Sequence, residues 1–304
     1  MKIIDSHAHV VQYIAGMRAG GELRSIGDGM ARYANGQVVR MIPKQFHTDS
    51  VTPEQLLEIM DQNGVEKAIL LQGNFYGYQN YYTYEAVKKY PHRFAGAASY
   101  DPYSKDKDGI RNYLFDELGF GIEKFEVSAG SGLMSIHPDF RIDSDLMDEA
   151  FSYANDKKHV LVIDIGKCGS DSWQVPALRR EILRYPTMKF VACHLLSPCN
   201  QDEARLEEAL KLLRLPNLWF DLASVVHNCR ADAQPYGKAL HYVELAKNVV
   251  GTDKLMFGTD MPSALKEDEY GCYIEYINRS ERLTHREKVM IFYDNANEVF
   301  FNRK

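Results

Sequence analysis

From His159 to His194 the chain reads HVLVIDIGKCGSDSWQVPALRREILRYPTMKFVACH. An apolar, β-branched run (His159–Ile165) leads through glycine-containing turn residues into a stretch with helical spacing, Val175–Tyr185, which stops before Pro186. A second apolar run, Met188–His194, follows at once. Strand, helix, strand in this order is the unit of a parallel sheet. Outward from it the unit recurs. Before it stand Lys2–Ile4 leading into Asp5–His9, then Lys67–Gln72, Phe94–Ser99 and Gly121–Val127; after it come Asn217–Leu222 and Lys254–Asp260. Helical stretches are predicted at Thr52–Asn63, which opens on Thr-Pro-Glu and closes on Asn63-Gly64, and at Asp143–Lys157, Gln201–Leu213, Tyr236–Asn248, Tyr270–Arg279 and Thr284–Phe301. Eight regular strand–helix units predict an α/β fold, the (β/α)8 TIM barrel, rather than a doubly wound sheet. No linker or internal repeat divides the 304 residues, so a single domain over 1–304 is expected.

One segment breaks the rhythm. Val10–Val51 holds scattered glycines without a clean period and follows strand 1 on the side where barrel active sites are assembled. A loop of that length is usually functional, and a lid or substrate-selecting segment is expected there.

Composition narrows the function. Hydrophobic residues make up 45% and charged residues 26%, the balance of an ordinary globular chain with a large core. A formal charge of -6 without a Lys/Arg run argues against nucleic acid and anionic membrane and for a small-molecule partner. No apolar run is long enough to span a bilayer and MKIIDSHAHV does not read as a signal peptide, so a cytoplasmic protein is expected. The five cysteines (Cys168, Cys193, Cys199, Cys229, Cys272) show no CxxC spacing and read as free thiols rather than a zinc cluster or disulfide framework.

Chemistry concentrates at strand ends. In Asp5-Ser6-His7-Ala8-His9 the two histidines alternate and share one strand face, the arrangement by which two imidazoles grip one divalent ion. Two chance histidines are the plain alternative. Strand 8 ends in Phe257-Gly258-Thr259-Asp260-Met261-Pro262, which puts Asp260 at the same mouth, able to bind the ion and to take a proton from water, although an aspartate before a turn can also be only a cap. His194 ends strand 6, where it can polarise a carbonyl or steady an oxyanion, or simply bond to backbone. Phe75–Tyr84 carries six aromatics after strand 2 and offers a surface for a ring substrate, Tyr81 and Tyr82 among them. Gly130-Ser131-Gly132 lacks the third glycine of a dinucleotide fingerprint, which would fall at Ser135.

Taken together these residues resemble the amidohydrolase superfamily, in particular its amidohydrolase-related branch that includes aminocarboxymuconate semialdehyde decarboxylase, the resorcylate decarboxylases and several lactone hydrolases. The resemblance runs through DSHAHV, MDQNGVEKAILL, YPHRFAGAAS, RYPTMKFVACHL, LMFGTDMP and DNANEVF, nearly the whole chain. It implies one divalent ion, usually zinc, held by His7, His9, a strand 5 residue and Asp260, with His194 acting on the substrate. At strand 5 the chain departs from the pattern: Asp164 stands where the family has a histidine. As a ligand it would give a His2Asp2 set, more hospitable to manganese or iron; alternatively it is too short to reach. Lys124 falls on a family position that is sometimes lysine; a buried or substrate-pairing lysine, neutralised by Glu123 and Glu126, is expected rather than a carbamylated bridge between two metals. The resemblance also implies a homodimer.

The expected function is therefore metal-dependent hydrolysis of a small carboxylated or cyclic compound, a lactone or amide, by ion-activated water. Nonoxidative decarboxylation of a small aromatic or muconate-type acid is the second reading. A degenerate barrel that binds a ligand without turnover, suggested by Asp164, is the third.

Overall fold

The computed structural model describes residues 1–229 and 234–302. Its eight parallel strands are β1 (Ile4–Ala8), β2 (Lys67–Leu70), β3 (Phe94–Gly96), β4 (Ile122–Glu126), β5 (Val160–Asp164), β6 (Lys189–Ala192), β7 (Leu218–Asp221) and β8 (Leu255–Met256). They pair as two arcs, β1-β2-β3 and β4-β5-β6-β7-β8. Bridges close the arcs into a barrel, Ala98 to Glu123 between the third and fourth strands and Ala8 to Met261 between the eighth and the first. Backbone bonds reinforce the second seam: Ser6 N–H to Phe257 O at 2.9 Å, Asp260 N–H to His7 O at 2.8 Å and His9 N–H to Met261 O at 2.8 Å. The (β/α)8 expectation holds, and all eight predicted strands are present.

Two-residue periodicity decides which side chains fill the barrel. Ile4, Ile69, Ala95, Ile122, Val160, Val162, Val191, Trp219 and Met256, at least one from every strand, form one buried cluster, and Ala296, Val299 and Phe300 of the C-terminal helical segment pack onto it. The residues between them, such as Phe125, Leu161, Phe190 and Phe220, belong to a second cluster under the helices. The parity has direct consequences at the mouth. On β4 the inward series 122, 124, 126 delivers Lys124 and Glu126, and on β5 the series 160, 162, 164 delivers Asp164. Glu123 has the opposite parity. It leaves the interior and pairs with His159 at 2.8 Å, so it is not the partner that sequence proximity assigned to Lys124.

Helices lie where spacing and caps put them. The first, Pro53–Gln62, is closed at its start by a reciprocal Thr52–Gln55 capping box with proline in the first turn. Asp145–Asp156, Val175–Arg184, Glu203–Leu212, Gly237–Val250 and Tyr270–Asn278 match their predicted stretches within a few residues. No helix among the described residues is long and apolar enough to cross a membrane.

The irregular segment is not a loop but a small sheet of its own. Met17–Arg18, Gly21–Gly27, Met30–Tyr33 and Val38–Arg40 form four antiparallel strands in sequence order. Val11 and Val51 exchange two backbone hydrogen bonds at 2.9 and 2.7 Å, pinning both ends of the lid at the barrel mouth. The lid also touches the loop after β2, where Ala15 N–H bonds to Tyr76 O at 2.8 Å. Gly77 makes this approach possible: its φ is +88°, and a Cβ there would meet Ala15 O at 2.5 Å.

Candidate active site

At the C-terminal ends of β1 and β8, His7, His9 and Asp260 bring one ligand atom each within 4.8 Å of one another. Gly258 permits this convergence, because a Cβ at that position would stand 3.1 Å from the Cβ of His7. Each histidine is oriented from behind. His7 Nδ1–H donates to Asp221 Oδ2 at 3.0 Å, and His9 Nδ1–H donates to the Leu71 carbonyl at 2.8 Å. Both Nε2 atoms therefore point into the mouth. His9 Nε2 lies 2.9 Å and His7 Nε2 3.8 Å from Asp260 Oδ1.

His9 turns Nδ1 to a carbonyl and Nε2 to Asp260. Its Nε2 and the Asp260 Oδ1 are 2.9 Å apart. A proton or a metal cation must lie between them. The donor set, two imidazole nitrogens and one carboxylate oxygen, with outer partners fixing both tautomers, fits a divalent cation with open positions.

Burial shapes the charges. His7 is 2% exposed, and desolvation holds its pKa down at about 4, against the pull of Asp221, so its ring stays neutral and available as a ligand. Burial works against charge on Asp260, but the His9 hydrogen bond and the nearby His194 and His7 outweigh it and keep the carboxyl well below the usual range. Ser224 donates to Asp260 Oδ2 at 2.5 Å, holding the second oxygen. Asp260 itself has φ +65° and is locked by its N–H to His7 O.

His194 stands beside this cluster. Its ring stacks on His7, centroids 4.6 Å apart, and its Nδ1–H donates to Ala223 O at 3.0 Å. The remaining Nε2 is 3.6 Å from Asp164 Oδ2. Burial opposes charge on His194, yet Asp164, Asp221 and Asp260 together lift its pKa above the ordinary value. The backbone here is strained: His194, Leu195, Leu196 and Ser197 all have positive φ, between 49° and 63°. Such geometry persists only where surroundings enforce it. Asp221, fully buried, accepts the His194 N–H at 2.8 Å and supplies part of that enforcement.

Asp164, expected as a fourth ligand, is inward-facing but is not brought into the His7–His9–Asp260 group. Its Oδ1 turns back to accept the Gly166 N–H at 2.7 Å, which leaves Oδ2 for His194. Tyr81 and Tyr82 are not at the site either. The helix Asn80–Lys89 begins just before them, and its direction leaves Tyr81 60% exposed on the outer surface. Phe75 and Tyr76 take the place expected of them and line the mouth cavity of ≈ 290 Å³, together with Lys124, Glu126, Asp164, His227 and Lys266. Accordingly, alanine at Tyr81 and Tyr82 should leave KM within about twofold, whereas Tyr76→Ala should raise it by roughly tenfold or more, the scale of a lost apolar contact. Steady-state kinetics on the two variants separates these outcomes.

Lys124 is 4% exposed. Burial alone would lower its pKa, but Cys193, Asp164, Glu126 and Asp221 raise it above the ordinary value, so the ammonium is charged within the cavity. A larger cavity of ≈ 930 Å³ lies outside the barrel, between Gly237–Val250 and Tyr270–Asn278. None of the clustered ligand atoms faces it, and the chemistry belongs to the smaller one.

Two functional contributors escaped the sequence reading. Asp221 orients both His7 and His194, and Ser224 holds Asp260. An acid ending an apolar strand, as in Leu218-Trp219-Phe220-Asp221, is the signal that could have revealed the first. Asp5 completes the scaffold: its carboxylate accepts from His7 N–H, Thr259 N–H, Thr259 Oγ and Tyr270 Oη at 2.6–3.0 Å, tying β1 to the segment after β8.

Residues 4–301 match the amidohydrolase family. No curated protein matches the chain. Among solved structures, an amidohydrolase from Burkholderia multivorans with bound zinc is 18% identical, with 98% of this chain and 99% of that one covered at a TM-score of 0.73. A probable 2-pyrone-4,6-dicarboxylic acid hydrolase from Acinetobacter baumannii, with citric acid bound, is 17% identical over 99% of both chains at a TM-score of 0.69. The 5-carboxyvanillate decarboxylase of Novosphingobium aromaticivorans, complexed with manganese and 4-hydroxy-3-methoxy-5-nitrobenzoic acid, is 15% identical over 82% of this chain and 80% of that one, at a TM-score of 0.59. At these identities the likeness is one of fold.

Proposed function

The chain belongs to the amidohydrolase family and is an enzyme of that superfamily, and we propose that it is a metal-dependent hydrolase of a small carboxylated or cyclic substrate, such as a lactone. The observation that carries the proposal is the convergence of three ligand atoms, His9 Nε2 2.9 Å and His7 Nε2 3.8 Å from Asp260 Oδ1, on one side of the barrel mouth. His7, His9 and Asp260 would hold one divalent ion, zinc or manganese. Such an ion supplies Lewis acidity to the scissile bond and lowers the pKa of water to about 7.

The chain's own groups divide the remaining work. Asp260 accepts the proton of the attacking water, with Ser224 and His9 fixing the direction of its two oxygens. His194 has its Nδ1 committed to Ala223 O, so only Nε2 faces the cavity. In protonated form Nε2 donates to the oxyanion that develops on the substrate, and Asp164 Oδ2, 3.6 Å away, favours that form. Asp164 thereby serves as a positioning residue. Lys124 offers a buried ammonium to a substrate carboxylate.

That same ammonium favours a second reading, nonoxidative decarboxylation, in which a carboxylate enters the cavity as the reacting group and a proton is returned to carbon. The two differ in where oxygen goes. Metal-loaded protein offered 2-pyrone-4,6-dicarboxylate, simple lactones and carboxylated phenols in ¹⁸O-labelled water should open a lactone ring and place one labelled oxygen in the new carboxylate. Release of carbon dioxide with an unlabelled organic product would overturn hydrolysis in favour of decarboxylation.

A further inference from the structure

Lys124 and Glu126 stand two residues apart on the inward face of β4, which puts their Cα atoms about 6–7 Å from each other. Opposite charges that close in one small cavity ordinarily pair. These do not. Among the described residues Lys124 Nζ makes no ion pair or hydrogen bond, although the residue is only 4% exposed. Glu126 is held by other groups: its Oε1 accepts the hydroxyls of Ser131 at 2.6 Å and Ser128 at 3.1 Å, and its Oε2 lies against Gly73, where a Cβ would stand 2.3 Å from it. No described residue donates to Oε2.

A second carboxylate adjoins the first. Glu126 pairs in register with Asp164 on β5, and both line the cavity of ≈ 290 Å³. One wall therefore carries an anionic corner with a single unengaged ammonium beside it. Burial first, and the charge of Asp164 with it, push the Glu126 pKa above its ordinary value, against the pull of Lys124, Ser131 and Arg18. A carboxylate in that condition is short of a cation.

Buried charges are costly unless paired, so two that stand apart on one cavity wall point to a ligand that meets both. We propose that the substrate is a zwitterion, its carboxylate on Lys124 and an ammonium group in the corner of Glu126 and Asp164. A dianion would set its second carboxylate against two like charges, and a monoanion would leave the corner without its cation. The compounds hydrolysed would then be lactones or amides that also bear a protonated amine. This deepens the hydrolytic reading and rests on this cavity being the catalytic site.

The test is calorimetric titration of the zinc-loaded protein with 3- and 4-(aminomethyl)benzoate, with the ethylbenzoates of the same shape, and with the (hydroxymethyl)benzoates. At least one aminomethyl compound should bind wild type roughly tenfold or more tighter than its ethyl counterpart, the scale of a hydrogen bond to a charged group. Glu126→Gln, which keeps an oxygen for Ser128 and Ser131, should bring the two to parity within about twofold. Glu126→Asp, which keeps the charge on a shorter stem, should retain part of the preference and guards against a packing defect. A wild type without the preference, a preference undiminished in Glu126→Gln, or an equal gain from the hydroxymethyl compounds overturns the assignment. Metal uptake and lactone opening are measured on the same samples. Their absence beside a Glu126-dependent preference would defeat the hydrolytic reading and leave the ammonium corner standing.

Discussion

Asp260→Asn is expected to lower kcat by roughly 10²–10⁴-fold, the usual consequence of losing a general base, and excess metal is not expected to restore it. The substitution removes a charged ligand and the proton acceptor together, but only the first loss answers to mass action. An amide nitrogen or oxygen in place of Oδ1 still faces His9 Nε2 at hydrogen-bond distance, so the fold has no reason to fail. Metal-dependence curves for kcat in wild type and variant decide the matter. Full recovery at saturating metal would mean that Asp260 serves only as a ligand.

The second large effect is expected at Asp221, which stands behind His7 and His194. Asp221 is fully buried and accepts from His7 Nδ1–H, His194 N–H and Ala223 N–H. Burial disfavours its charge, but His7 and His194 outweigh that and hold its pKa below the ordinary value. Asp221→Ala leaves these donors unpaired, at about 1–3 kcal/mol for each one left unsatisfied, and frees His7 to rotate or change tautomer. Metal affinity should fall by about 10–100-fold, the scale seen when an outer partner of a ligating histidine is lost. Thermal unfolding without metal reads the first effect and metal titration reads the second. An unchanged metal affinity would show that His7 needs no orientation from behind.

The barrel was legible in the sequence because each strand carries its inside and outside in its parity. Val160, Val162 and Asp164 alternate with Leu161 and Ile163, and that pattern alone put Asp164 at the mouth. What the pattern could not convey was reach. The Asp164 carboxyl is short, and the turn at Gly166 offers an N–H within 2.7 Å, so one oxygen folds back and the other meets His194. The same parity, applied to β4, would have separated Glu123 from Lys124.

The lid was illegible for a different reason. Its strands have two to seven residues, and they alternate irregularly because one face is exposed and glycines make the turns, so no period survives. Tyr81 and Tyr82 were assigned to the mouth by proximity to β2, but helix geometry, beginning at Asn80, sends consecutive residues in different directions. Asp221 carried no histidine-like signal. Its importance arises only when β7 lies beside β6, which brings it under His194 and across the barrel from His7.

If His7, His9 and Asp260 hold the divalent ion on which turnover depends, the ion should follow these side chains. Elemental analysis of protein purified without chelator, then dialysed against zinc or manganese, tests it most directly when wild type is set beside the His7→Ala/His9→Ala double variant. Wild type should bind about one equivalent, and the double variant should bind less than about a tenth of one while keeping its circular dichroism, since two of the site's three ligand side chains are gone. A wild type that stays metal-free, or a double variant that keeps its equivalent, would mean that these side chains are not the metal site.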